Sequence, residues 1–298
     1  MAKTRRPQAV RHDLVLALET ATNACSVALF TDDGDRVAEI VAEAGPAHTQ
    51  RLLPDVHHVL GIAGVRMDAV STVVVGLGPG SFTGLRIGVA TARALAQAGE
   101  GIELAGVPTL AALAWSLAEG EADAGARDFI PLIDGKRGEV FAARFQRPRE
   151  DVERPVRAPA SAPLIAAEPR LAVVRAADLA EFLTQWPGAV VGGDGARLYA
   201  DRLPPVVLVA RAVAAPTAAM VARAWFAGVP GVASGLSAVL ALYGRRPDAA
   251  AWHPAAVPTA SATPLASAGP IAPALPPPAT EAAAPRAPAP ADDGGVPR

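Results

Sequence analysis

Apolar and polar positions change their spacing several times along the chain, and each change marks an element. Residues 14–18 form a short continuous apolar run, and 24–30 form a second one rich in small residues. Thr31-Asp32-Asp33-Gly34 is a turn whose Asp-Gly pair supplies the positive φ that a hairpin needs. Residues 36–42 set Val37, Glu39 and Val41 against Ala38, Ile40 and Ala42 and predict a third strand. Connections this short make the three strands antiparallel neighbours. The period then becomes helical: Leu52, Leu53, Val56, Val59 and Leu60 share one face. Pro54 is tolerable there near the first turn and otherwise predicts a kink. Residues 72–75 read as a buried parallel strand, 84–98 as a long helix of small residues and 102–107 as another strand.

The order over 13–107 is therefore βββαβαβ, the ribonuclease-H-like arrangement with helices covering a mixed sheet. After Pro108 it restarts. A helix is predicted over 110–117, strands over 129–133 and 139–145 across the turn 134–138, and a helix over 176–186. A strand over 189–191 runs into Gly192-Gly193-Asp194-Gly195, and 217–227 form a late helix. A second lobe that opens on a hairpin like the first suggests an internal duplication. The expected division is a flexible arm at 1–12, a first lobe at 13–107, and a second lobe at 108–249 whose last helix can pack back on the first. A tail follows at 250–298. Its alanines and prolines stop helix and sheet propagation, and it has too few large apolar side chains to offset ordering, so it is expected to be disordered.

Composition narrows the function classes. The 298 residues are 51% hydrophobic, enough for one large or two modest cores, and the formal net charge of -2 gives no footprint for gripping nucleic acid unaided. The single cysteine, Cys25, excludes an internal disulfide framework or a Cys-rich metal site and reads as a core residue. Of the five histidines, His57 and His58 are adjacent and cannot share a helix face, and no carboxylate pairing completes a metal set. The basic opening followed by LVLAL is too short for a signal peptide and is interrupted by Glu19. No stretch approaches the ~20 apolar residues of a membrane span, so the expected location is the cytoplasm.

The densest motif is Gly76-Leu-Gly-Pro-Gly-Ser-Phe-Thr-Gly-Leu-Arg-Ile-Gly88, which follows a strand and opens a helix. Glycines at a helix N-terminus can hold a phosphate or carboxylate on backbone amides, with Ser81, Thr83 and Arg86 assisting. The spacing is neither that of a Walker loop nor that of a dinucleotide fingerprint. The same glycines equally permit a sharp reversal and close packing, because Gly84, Gly88, Ala92 and Ala96 lie four apart on one side of the helix. Two weaker candidates are the first hairpin turn, with Thr20 and Thr22, and Gly193-Asp194 after the later strand. Together with Gly78, Gly80, Ser81 and Thr83 these make up the candidate anion or nucleotide set.

The segments LVLALETATNACSVALF, HTQRLLPDV, VVVGLGPGSFTGLRIGVATARALA and PLIDGKRGEVFAARF closely resemble the TsaB (YeaZ) family, and LYGRRPDA resembles that family's carboxyl end. The likeness runs over about 14–249 and rests mainly on GPGSFTGLRIG. It implies an α/β actin-like ATPase (ASKHA) fold of two lobes. It also implies a role in N6-threonylcarbamoylation of adenosine 37 (t6A) in tRNAs reading ANN codons. In that scheme the chain binds and activates the catalytic subunit TsaD, together with the ATPase TsaE. TsaD holds a metal through an His-x-x-x-His motif just after the strand equivalent to 102–107. Here Val107-Pro-Thr-Leu-Ala-Ala-Leu-Ala114 fills that place, and alanine and leucine cannot ligate. The resemblance therefore implies a non-catalytic, M22 peptidase-like homologue without the metal site. Its competitor is a free-standing enzyme of the same fold, either a small-molecule kinase or an M22-type peptidase.

No cofactor is implied beyond weak nucleotide binding at the partner interface. Glu19 stands where an actin-like ATPase has Asp, and Lys136 and Arg137 occupy the second phosphate turn. TsaB pairs with TsaD through two first-lobe helices, here about 48–61 and 84–98. The expected interface is Gln50, Leu52, Leu53, Val56, Gly84, Leu85, Gly88, Val89 and Ala92. A substitution such as Leu85→Glu or Ala92→Trp is expected to block pairing and spare the fold. Self-pairing of the chain alone and contact with tRNA only through the complex complete the expectation. Gly244 departs from the family's usual carboxyl-terminal tyrosine-leucine-arginine.

Overall fold

The computed structural model describes residues 13–43, 48–120, 125–148, 164–210 and 215–244. The expected arm at 1–12 and tail at 250–298 lie outside the described residues.

The first three strands are β1 (Leu14–Glu19), β2 (Ala24–Thr31) and β3 (Arg36–Glu43). They are followed by α1 (His48–Ile62), β4 (Val70–Gly76), α2 (Phe82–Ala98) and β5 (Glu103–Val107). The sheet they build runs β3-β2-β1-β4-β5, with β11 (Ala233–Ser234) added antiparallel on β5. Then come α3 (Thr109–Gly120), β6 (Asp128–Lys136), β7 (Glu139–Gln146) and β8 (Ile165–Arg175). The remainder are α4 (Leu179–Thr184), β9 (Val190–Gly192), α5 (Asp194–Leu198), β10 (Leu208–Val209) and α6 (Ala218–Phe226). The second sheet runs β8-β7-β6-β9-β10. Both sheets thus show the same order, with three antiparallel strands and then two parallel ones. This is the two-lobed, actin-like arrangement. The restart after Pro108 is a repeat of topology.

Strand β1 shows why its sequence is uniformly apolar. Leu14, Leu16 and Leu18 enter one core, and Val15 and Ala17 enter another. A strand covered on both faces loses the alternation of a half-exposed one. The first core lies under α1 and α2, with Leu52, Val56, Val59, Val89, Ala92 and Ala96. The second lies between the sheets, where α6 covers the first sheet, α3 covers the second and the two helices pack together. Helix α3 is buried from Thr109 to Trp115 and again at Leu117 and Ala118, so it is apolar all round. A third core closes the far face of the second sheet with Leu179, Leu183 and Ala196. Helix α1 runs through Pro54, which is exposed and leaves one carbonyl without its intrahelical amide partner.

Two first-lobe side chains and the helix's own N-cap satisfy the start of α6. Ala218 N–H donates to Ser26 Oγ of β2, Ala219 N–H to Glu39 Oε1 of β3 at 3.3 Å, and Met220 N–H to Thr217 Oγ1 at 3.4 Å. These are amides that a helix cannot satisfy itself. Ser26→Ala strips the first of them at a fully buried site and is expected to cost about 1–2 kcal/mol in denaturant unfolding, with an unchanged m-value.

Candidate functional site

The β1–β2 turn and the start of α2 are locked together. Ser81 N–H donates to Ala21 O at 2.6 Å, and Thr20 Oγ1–H to Gly84 O at 2.8 Å. Ser81 Oγ caps the helix by accepting from Gly84 N–H at 3.2 Å. The approach leaves no room for side chains. A Cβ on Gly80 would lie 2.1 Å from Ala21 O, one on Gly84 2.1 Å from Thr20 O, and one on Gly88 2.2 Å from Thr20 Oγ1. Gly76 abuts the Glu19 carboxylate, with a Cβ falling 2.0 Å from Oε2. Of the two roles open to these glycines, close packing is the one the geometry displays. The polar groups of Thr20, Gly84 and Ser81 are spent inside the chain.

Glu19 is fully buried. Its Oε1 accepts from Ala21 N–H at 2.6 Å and its Oε2 from Thr109 Oγ1–H at 2.9 Å; that hydroxyl in turn accepts from Gly78 N–H at 3.0 Å. Loss of hydration pushes the carboxyl up to about 7, against the opposing pull of those hydrogen bonds. The first turn of α3 is thus tied to the end of β1 through Thr109. Leu110 to Ala114 lie in the core. Among the described residues no three His, Cys, Asp or Glu side chains converge as metal ligands.

A cleft of about 150 Å3 opens on the other side of the β1–β2 turn, between the lobes. Thr22 and Asn23 line one wall, and Asp134, Lys136, Asp194 and Arg197 the other. Asp194 Oδ1 accepts from Asp134 N–H at 3.2 Å, and Lys136 Nζ pairs with Asp134 Oδ2 at 2.8 Å. Desolvation, with the nearby Asp134 charge adding to it, raises the Asp194 carboxyl to about 6. Gly193 holds φ at +115°, and a Cβ there would meet Leu132 O at 2.2 Å. Of the candidate anion set, the structure brings Thr22 and Asp194 together in this cleft. Gly78, Gly80, Ser81 and Thr83 do not line it. Arg197 and Glu43, which also line it, were missed in the sequence. Arg197 follows Asp194 by one helical turn and was findable, whereas Glu43 arrives from a distant strand.

The two helices expected to form a partner surface lie side by side over the first sheet, and most of the residues named for that surface face inward. Leu52, Val56, Leu85, Val89 and Ala92 are buried, as are Gly84 and Gly88. The expectation that Leu85→Glu or Ala92→Trp spares the fold is corrected, because both side chains are fully enclosed. The helical stripe read as an interface is the stripe that holds α1 and α2 on their own sheet. Gln50 and Leu53 are exposed, Leu53 by 55%. Ile62 of α1 and Phe82 and Arg86 of α2 are exposed as well. The Arg86 guanidinium lies over the Phe82 ring, and Tyr243 packs on that ring with centroids 4.9 Å apart.

Comparison with known proteins places this geometry. A family model described as TsaD, tRNA N6-adenosine threonylcarbamoyltransferase, matches residues 40–160. The tRNA threonylcarbamoyladenosine biosynthesis protein TsaB of Escherichia coli (strain K12) is 41% identical over 134 residues, covering 45% of this chain and 55% of that protein. The protein of the same description in Bacillus subtilis (strain 168) is 33% identical over 136 residues, covering 44% and 55%. The chain spans about half the length of the curated relatives it matches. A crystal structure of a Pseudomonas aeruginosa protein described as similar to the peptidase YeaZ superposes with a TM-score of 0.59 at 30% identity, covering 78% of this chain and 100% of that one. With 30% identity sustained over the whole of that solved chain, on the same fold, this chain belongs to the TsaB (YeaZ) family.

Proposed function

We propose that this chain is a non-catalytic subunit in the threonylcarbamoylation of adenosine 37 in tRNAs reading ANN codons. It acts by binding and activating a TsaD-type catalytic subunit together with a TsaE-type ATPase, in the cytoplasm. Curated relatives carry the description of threonylcarbamoyladenosine biosynthesis proteins. The observation that carries the non-catalytic part is the start of α3. The matched TsaD model spans it, yet its positions 110–114 are buried leucine and alanine, and Thr109 is bonded to Glu19. Nothing there can polarise a carbonyl or activate a nucleophile. The β1–β2 turn supports the same reading, because Thr20 donates to helix α2 where an actin-like ATPase would hold a phosphate.

The contact surface for the catalytic subunit is the outer side of α1 and α2, with Gln50, Leu53, Ile62 and Phe82 in place of the buried stripe. It also serves self-pairing when the chain is alone. Among the described residues no helix is long and apolar enough to cross a membrane. Leu53→Asp and Phe82→Asp, at positions 55% and 46% exposed, are expected to abolish co-elution with the catalytic subunit and to move thermal unfolding by less than about 3 °C. Retained co-elution of both variants would reject the surface. Depletion of the chain is expected to lower t6A in bulk tRNA nucleosides. Unchanged t6A, or turnover of ATP or peptide by the chain alone, would instead favour a free-standing enzyme.

A further inference from the structure

The inter-lobe cleft has a composition that the proposed function does not use. Its charges are mixed and unequally committed. Lys136 is held by Asp134. Asp194 receives only backbone amides, from Asp134 and Gly195, and has no cation bonded to it among the described residues. Arg197 lies one turn further on α5, exposed, and pairs with no carboxylate among the described residues. Residues at i and i+3 are neighbours on a helix surface, yet Asp194 and Arg197 do not bridge. A desolvated carboxyl and an uncommitted guanidinium therefore border the same cavity. Across it, Asn23 offers an amide that bonds to nothing else among the described residues, and Glu43 adds a second negative charge at the mouth.

Size and charge select among ligand classes. At about 150 Å3 the cleft holds roughly five waters' worth of liquid, well short of the ~300 Å3 or more that nucleotide-sized ligands need. A simple anion would face Glu43, Asp134 and Asp194 against one uncommitted cation. A simple cation would leave Arg197 unpaired. A molecule carrying both charges a few ångströms apart satisfies each group and relieves the desolvation of Asp194.

We propose that this cleft binds a small zwitterion, an α-amino acid of about threonine's size or less, with its ammonium on Asp194 and its carboxylate on Arg197. Asn23 and Thr22 are placed to meet a short polar side chain. The site is independent of the tRNA reading, since it lies within one chain and needs no partner.

Isothermal titration of the full chain with L-serine and L-threonine tests it, with ethanolamine and L-lactate as matched single-charge probes. The expected result is saturable binding on the order of 0.1–1 mM, reasonable for a ligand of so few atoms. The single-charge probes are expected to bind at least tenfold more weakly. Asp194→Asn keeps the acceptor for the Asp134 amide, and Arg197→Gln alters an exposed side chain, so both variants are expected to fold. Each is expected to weaken serine and threonine binding at least tenfold. No saturable heat with either amino acid up to about 20 mM would overturn the proposal. So would ethanolamine or lactate binding as tightly as the amino acids, or unchanged affinity in both variants.

Discussion

Gly84→Ala is expected to leave little folded protein. The added methyl would sit 2.1 Å from Thr20 O, against about 3.5 Å for an ordinary contact, and the opposing atom is backbone at the tip of a central hairpin. Relief requires α2 to lift from the β1–β2 turn. That movement breaks the Ser81–Ala21 and Thr20–Gly84 hydrogen bonds and opens the core under Val89 and Ala92. Overpacking with such collateral loss costs about 3 kcal/mol or more, a large part of a domain's stability. Gly80→Ala meets the Ala21 carbonyl at the same 2.1 Å and is expected to match it. Gly88→Ala meets only the Thr20 hydroxyl, which can rotate away at the price of one hydrogen bond, so it is expected to be milder. Gly61→Ala, within α1 and with nothing inside 4 Å, is expected to stabilise by up to about 1 kcal/mol through helix propensity. Urea melts of the four variants check the ranking. Wild-type stability in Gly84→Ala would mean that these glycines do not work by packing.

The same segment shows what was legible in the sequence. The periods of residues 14–18, 36–42 and 52–60 gave the strands and helix correctly, because each is set by one covered face or two. The short connections gave the first hairpins. Strand β8 was missed because its larger apolar residues Ile165, Leu171 and Val173 stand on the exposed face of a sheet edge, while the positions that face the cores are mostly small, Ala166 and Ala172 beside Val174. Strands β10 and β11 have two residues each and are defined by neighbours distant in sequence. The apolar stripe at Leu52, Val56, Leu85 and Val89 was real, but a stripe carries no sign of whether its cover is the same chain or another. The sheet beneath claims it. The cleft was half legible. Asp194 was noticed for the glycines around it and Arg197 follows it by one helical turn, whereas Glu43 comes from a distant strand and joins them only when the two lobes face each other.

Between about pH 4.5 and 7 the chain is expected to lose stability as pH rises, and Glu19 is the main cause. Its ordinary value is 4.5, and burial raises it to about 7 in the folded chain. Through that window the native state holds a proton that the unfolded chain has released. The unfolding free energy therefore falls with pH, and the protonated form's advantage is complete below 4.5 and gone above 7. The gap corresponds to about 3 kcal/mol. Glu19→Gln keeps an acceptor for Ala21 N–H and places an amide against Thr109, without a charge to desolvate. Its stability relative to wild type is expected to climb across the window and level off above pH 7. Asp194, raised from 3.8 to about 6, acts in the same direction over a lower range, and its charge also helps raise Glu19. Asp194→Asn should therefore shift the Glu19-dependent window to lower pH. Denaturant melts of wild type, both single variants and the double variant between pH 4 and 8 separate the two groups. A Glu19→Gln profile parallel to wild type would mean that the buried carboxylate is already ionised and fully compensated by Ala21 and Thr109.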